Sequence, residues 1–401
     1  MRTSVLALLA ADIVLVSCRR LLPGQADGPI ADAYQMDILW PSYLDNGFIR
    51  RGASGTVMAL IRDSALIDPA AGYHILGTLL LLAPLILLLR RLANRHESGW
   101  LWFAALLALS PQLFAAWALD LARSDMLAMS FVAWAALAMV DGRQRIAVAS
   151  LLAGSLVHEV ALFYGGALLA AFAWADARTG RLPARAAVTP LALLVSGIVV
   201  IAGAQSAFGD DGPAIARTIL RHDPVTGMHA AYMSAGGLRT LVTSACMSFS
   251  DVQTGIFISS CVVVLACYMY LLLPAGRDEL ALLAFVSFVP MVALGAVAID
   301  YGRWLTLAVM NGWLAAVILR LRAPKAGVAT APRLPLAVAL LTALVSMGEA
   351  RIYFANDAAM ILANAVYPYP VPRKHFEACD PSWRSVIAPP DGRNLEGSSS
   401  S

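Results

Sequence analysis

The chain has 401 residues, of which 59% are hydrophobic and only 14% charged, with a formal net charge of +3 and a mean hydropathy of +0.71. That is more apolar surface than a soluble core of this size can bury, which excludes an ordinary soluble domain and points to a polytopic membrane protein. The small positive charge follows from loop topology, so no nucleic-acid partner is expected.

A bilayer crossing asks for about 20 apolar residues, fewer where neighbours cover the ends. In chain order, apolar runs predict helices near residues 4–18, 72–89, 100–119, 126–140, 146–157, 160–174, 186–205, 255–273, 280–299, 304–319 and 334–348. The expected fold is all-α, a membrane helical bundle of about 11 transmembrane helices. Arginine and lysine recur at every second connection: Arg90, Arg91 and Arg95; Arg143 and Arg145; Arg178, Arg181 and Arg185; Arg277; Arg320, Arg322, Lys325 and Arg333. Because such residues favour short cytoplasmic loops, the N-terminus is read as cytoplasmic in a bacterial inner membrane, with residues 19–71, 120–125, 158–159, 206–254 and 300–303 on the periplasmic side. The organisation expected is a membrane half over 1–205 with its outer loop 19–71, an outer capping loop over 206–254, C-terminal membrane helices over 255–348 and an outer tail over 349–394. Residues 395–401 resemble a fusion remnant.

The first helix has a competing reading as a signal peptide ending in Leu15-Val16-Ser17-Cys18, but Asp12 within the run and Arg19-Arg20 after the cysteine fit cleavage badly. Cysteines 18, 246, 261, 267 and 379 show no metal-ligand spacing; Cys246 and Cys379 share the outer side and are candidates to pair.

In the first outer loop, Asp27, Asp32, Asp37 and Asp45 follow in quick succession, then the basic pair Arg50-Arg51, then a run from Thr56 to Ile67. Val57, Leu60, Ile61, Ser64 and Ala65 recur there at helical spacing, which predicts an amphipathic helix lying on the membrane. Asp120-Leu121-Ala122-Arg123-Ser124-Asp125 and Asp300-Tyr301-Gly302-Arg303 are short charged turns on the same side. Read as one helix, residues 146–175 would place Arg178, Arg181 and Arg185 outside, so they are expected to form a hairpin turning at His158-Glu159, with legs too short to face lipid throughout. Ionisable groups at that depth are costly and mark either function or a structural pairing. Glu159 capping the second leg while His158 bonds a carbonyl is the structural alternative. The 206–254 loop carries Arg221-His222-Asp223, with Ile215, Ile219 and Leu220 at helical spacing, and the tail carries a proline-rich stretch over 367–372.

A carboxylate that accepts a proton, arginines that grip phosphate and a greasy approach for a lipid are the parts of glycosyl transfer from a polyprenyl-phosphate sugar. The layout of roughly residues 1–205 resembles the GT-C superfamily of integral-membrane glycosyltransferases: a first span, a large outer loop with an acid, then paired spans. Arg123-Ser124-Asp125-Met126 resembles the family's acid before the fourth span, and Gly154-Ser155-Leu156-Val157-His158-Glu159 its short helix pair with a polar outer turn. The family's adjacent acidic pair is absent here, Asp32 and Asp37 being five residues apart. The resemblance implies an inverting transfer on the outer face with Asp37, Asp32 or Asp125 as catalytic base. It further implies Arg50, Arg51, Arg123 and Arg303 at the donor phosphate, and His158, Glu159, Asp300, Tyr301, Arg221 and His222 around the substrates. Expected partners are the lipid bilayer, a polyprenyl-phosphate-linked sugar and a saccharide acceptor. A divalent metal, Mg or Mn, serves some relatives, although nothing in this sequence spells a closed metal site. O-antigen and exopolysaccharide polymerases resemble the chain almost as well. A secondary transporter or flippase is the reading from another class, against which stand the lack of midplane charges other than Asp12 and of an internal repeat. A membrane protease finds no His-Glu-x-x-His or nucleophile motif.

Overall fold

A computed structural model describes residues 2–17, 37–64, 66–95, 100–109, 123–224, 227–235, 277–295 and 301–322. The expected helices over 255–273 and 334–348, Asp27, Asp32, Asp300, the proline-rich tail and all five cysteines lie outside these residues.

Among the described residues every regular element is a helix, and the extended pairing is an isolated bridge between Gly47 and Gly209. The helices are α1 (Arg2–Ser17), α2 (Tyr43–Asn46), α3 (Gly52–Ser64), α4 (Pro69–Arg95), α5 (Trp100–Leu109), α6 (Ser124–Val140), α7 (Gln144–Val157), α8 (Val160–Arg178), α9 (Ala184–Phe208), α10 (Gly212–His222), α11 (Met228–Ala235), α12 (Arg277–Gly295) and α13 (Tyr301–Arg322). Each expected span that falls within the described residues is helical. Three of the helices are long and apolar enough to cross a membrane, Pro69–Arg95, Val160–Arg178 and Arg185–Phe208, and shorter apolar helices accompany them. These are the features of a membrane protein.

The core is a bundle in which α6 packs against α4, α7, α8 and α13, while α8 reaches α7, α9, α12 and α13. Small residues allow the close approach that membrane helices favour. A side-chain carbon on Gly154 would come within 2.9 Å of both Phe131 and Ala161, and one on Gly165 would collide with Leu151. The lipid-facing surface is legible in what remains outside. Along α9, Val188, Val195, Val199 and Val200 are exposed, joined by Phe163 and Trp174 of α8 and Phe285, Val289 and Val292 of α12. So large an apolar surface is stable only against hydrocarbon or another apolar partner.

The helix ends divide into two groups. At the basic end Arg91 of α4 pairs with Asp141 after α6, Arg178 of α8 with Asp278 of α12 at 2.9 Å, and Arg322 of α13 with the buried Asp176 of α8 at 2.7 Å. Here α6 stops on Gly142, whose φ of +71° lets Arg143 donate back to the Ala138 carbonyl at 2.8 Å. At the opposite end lie the start of α6, the α7–α8 turn and the end of α9.

Two expectations change in detail. The hairpin does turn at His158-Glu159, with α7 ending at Val157 and α8 beginning at Val160, but the second leg is not short. It continues to Arg178 because Asp176, which ends the apolar run in the sequence, is neutralised by Arg322. The first-loop helix α3 also presents a different face from the one its spacing suggested. Ser54, Gly55, Met58 and Ala59 are buried, Leu60 is exposed, and the helix packs on α4 and α7. Gly55 sits so close beneath the Pro41 carbonyl that a side chain there would collide with it, so protein contact sets the helix rotation.

Candidate functional site

At the end opposite the basic pairs, the first loop is tied down on two sides. On one side it meets the end of α9 and α10. The Phe48 N–H donates to the Phe208 carbonyl at 3.1 Å, and the Asn46 amide donates to Asp210 at 2.8 Å and to Thr218 of α10 at 3.0 Å. Trp40 stacks on His222 with ring centroids 3.9 Å apart, and the Arg62 guanidinium lies 5.4 Å from the Trp40 ring. Burial lowers the His222 pKa, and the neighbouring Arg62 and Arg221 lower it further against an opposing pull from Asp45. Asp211 caps α10 by accepting from the Ala214 N–H at 2.7 Å. His222 thus serves as a joint between cap and loop.

On its other side the loop meets the α7–α8 turn. Arg51 occupies the left-handed region at φ +59°, a conformation that costs a non-glycine residue about 1 kcal/mol and persists only where its surroundings hold it. What holds it is Glu159. Arg51 Nε donates to Glu159 Oε2 at 2.9 Å, while Arg51 Nη2 and Arg50 Nη2 both donate to Oε1. Burial by itself would raise the Glu159 pKa, but Arg51, His158 and Arg50 together hold it well below the usual carboxylate range. Glu159 makes no cap bond to α8.

Behind Glu159 lies a fully buried layer. The Val160 N–H lies 3.2 Å from His158 Nδ1, and the other ring nitrogen, Nε2, is turned away from the α8 backbone. Nε2 faces Asp125 Oδ1 at 3.6 Å, and Nδ1 also lies 3.6 Å from Glu159 Oε2. Asp125 is delivered by the first turn of α6, where a carboxylate is favoured by the helix dipole. Ser54 of α3 donates to the Val157 carbonyl at 3.0 Å, which seats the helix on the turn. The Tyr73 hydroxyl of α4 lies beside Ser54 and within electrostatic reach of Asp125. The arrangement is a line of ionisable groups running from solvent inward: Arg50 and Arg51, Glu159, His158, Asp125. An imidazole between two carboxylates can pass a proton from one to the other, and the outer guanidiniums can hold an anion.

Of the residues expected at a site, the structure therefore joins Arg50, Arg51, Asp125, His158 and Glu159. Asp37 is buried in the segment before α2, three residues ahead of Trp40, and Arg221 and His222 belong to the α10 joint. Arg123 lies just before α6, and Tyr301 and Arg303 begin α13; Asp32 and Asp300 lie outside the described residues. Ser54, Tyr73 and the fully buried His74 were missed. The last had a usable signal, a titratable side chain within an apolar helix. Among the described residues no group of three or more His, Cys, Asp or Glu side chains is placed to hold a metal ion, and Glu159 is already committed to two guanidiniums. No family model, curated protein or solved structure matches the chain.

Proposed function

We propose that this protein is an integral-membrane glycosyltransferase of the GT-C type. It moves a sugar from a polyprenyl-phosphate donor to a saccharide or lipid-linked acceptor, at the periplasmic face of a bacterial inner membrane. The observation that carries the reading is the Arg50, Arg51, Glu159, His158, Asp125 line, drawn from three separate stretches of chain to one end of an apolar bundle. The charge bias of the loops assigns that end to the periplasm.

In this reading Arg50 and Arg51 hold the donor phosphate at the rim. The acceptor oxygen attacks the anomeric carbon from the face opposite the phosphate, the carbon–oxygen bond to phosphate breaks, and its electron pair stays on the phosphate. The hydroxyl proton passes to Asp125, whose carboxylate faces His158 Nε2 at 3.6 Å. Asp125 is preferred over Asp37 because it is the acid that stands in line behind Arg50, Arg51, Glu159 and His158. The amount of catalysis asked of it is that of a positioned general base, about 10²–10⁴-fold.

The test is transfer from radiolabelled polyprenyl-phosphate sugars by the purified protein in nanodiscs, comparing Asp125→Asn, Asp37→Asn and Asp32→Asn. Asp125→Asn is expected to lose about 10²-fold or more of turnover. Unchanged turnover in all three sinks the site, and a loss confined to Asp37→Asn moves the base to the first loop.

A further inference from the structure

We propose that Glu159 is the resident occupant of an anion seat formed by Arg50 and Arg51, and that a phosphate ester binds by displacing it. The proposal rests on the reading above for its ligand class and adds that the ligand-free chain holds its own site shut.

Three observations carry it. The seat is rich in donors, since two guanidiniums converge on the one carboxylate of Glu159. The carboxylate also fits the donors poorly. Its Oε1 serves both arginines while Oε2 serves Arg51 alone, whereas the three terminal oxygens of a phosphate monoester, the lipid phosphate left once the sugar has departed, would give each fork its own acceptors. Finally, the seat is open on one side: the Arg50 side chain is 65% exposed, while those of Arg51 and Glu159 are 26% and 25%, so a ligand can reach the pair from the Arg50 side.

The consequence reaches inward. The charged groups around Glu159 are Arg50 and Arg51 from the first loop and His158 on its own turn; behind them stand Asp125 of α6 and Tyr73 of α4. His158 and Asp125 are buried beneath the clamp. Moving the Glu159 side chain off the arginines takes it away from His158 Nδ1, so anion binding at the rim changes the charge beside the histidine that faces Asp125.

The test is equilibrium binding of farnesyl phosphate, inorganic phosphate and farnesol to the full chain in nanodiscs. Removing the internal competitor in Glu159→Gln is expected to tighten farnesyl phosphate binding about tenfold, the scale of one charge-assisted pair. Glu159→Asp, whose shorter side chain cannot span both arginines, should gain less, and it carries the test if the glutamine variant does not fold. Adding Arg51→Gln should remove the gain. Tightening shared by inorganic phosphate supports a seat for phosphate from either source, and tightening confined to farnesyl phosphate supports a lipid headgroup. Affinity that is unchanged or weaker in both Glu159 variants overturns the proposal. If affinity is unchanged while Asp125→Asn still abolishes transfer, only the seat fails. If the gain appears but no sugar is ever transferred, only the glycosyltransferase reading fails.

Discussion

The two ends of the bundle use the same residue types to different purposes. At the basic end carboxylates and arginines tie neighbouring helices together: Asp141 pairs with Arg91, Asp278 with Arg178, and Asp176 with Arg322 at 2.7 Å, with Arg181 farther off at 4.0 Å. Arg322 also donates to the Met139 carbonyl at 3.3 Å and lies 4.9 Å from the Phe172 ring. These contacts join α6, α8 and α13 as packing requires. At the other end two arginines share one carboxylate, a histidine stands between two acids, and one arginine holds a left-handed backbone. Nothing in helix packing asks for that arrangement. A pair whose members join two packed helices reads as a structural tie, whereas a carboxylate shared at close range by two loop arginines and backed by a buried histidine and acid is the pattern expected of a functional site.

The sharpest way to break this comparison is Asp176→Ala. It strands Arg322 in a largely buried position, and losing one partner of a buried pair costs about 3 kcal/mol or more. Thermal unfolding should show a large loss of stability, while the surviving folded protein transfers sugar at its normal rate. Asp125→Asn, which keeps the shape and a polar oxygen of the buried side chain, should cost less in the melt than Asp176→Ala and should lose about 10²-fold or more of transfer. If Asp176→Ala folds normally but fails in transfer, the assignment of the two ends is wrong.

Acid divides the clamp end itself, and the effect expected is smaller. The folded pKa of His222 is depressed, so its contribution is present above its unfolded value, about 6.5, and is lost as pH falls through the folded value. Glu159 is also depressed, so the clamp is fully present above about 4.3 and is lost only below that. Lowering pH from 7 to 5 should therefore loosen the Trp40–His222 joint and leave the clamp intact. Hydrogen exchange should report it as faster exchange in α10 with unchanged protection at Arg50–Ser54, and His222→Gln should remove that step. Exchange rising first at Arg50–Ser54 would reverse the order.

Much of the architecture was legible in the sequence because its causes are local. Apolar runs gave α4, α6, α9 and α13, and the charge of Arg178, Arg181 and Arg185 forced the hairpin to turn at His158-Glu159. The length of α8 was not legible, because Asp176 becomes compatible with a helix interior only when Arg322 arrives from far along the chain. The buried face of α3 was likewise hidden, since the Gly55–Pro41 approach is a tertiary fact that overrides apolar spacing. Of the site, the residue types at 50, 51, 125, 158 and 159 were readable as a set on one side. Their pairing was not. Two arginines next to four aspartates in one loop give no hint that their partner is a glutamate more than a hundred residues on. His74 and Tyr73 escaped because a charge count ignores a neutral imidazole and a phenol.

The smallest expected effect is at Arg91–Asp141, and it is informative because it is small. Arg91 donates to both Asp141 oxygens, so by contact geometry it looks as strong as the Arg50–Arg51 clamp. Its side chains are 37% and 29% exposed, however, and it lies at a helix end where water screens the pair. A solvated pair of this kind contributes about 0.2–1 kcal/mol, and neither partner is left buried when the other is removed. Arg91→Ala should therefore shift the melting temperature only slightly and leave both phosphate binding and transfer unchanged. The Arg50 side chain is more exposed still at 65%, so by burial alone Arg50→Ala should also be nearly silent in the melt. The two substitutions should match in stability and part in binding, with Arg50→Ala weakening farnesyl phosphate and Arg91→Ala leaving it untouched. Equal binding in both variants would mean that unequal pairing is only surface electrostatics, and the contrast between the two ends would dissolve.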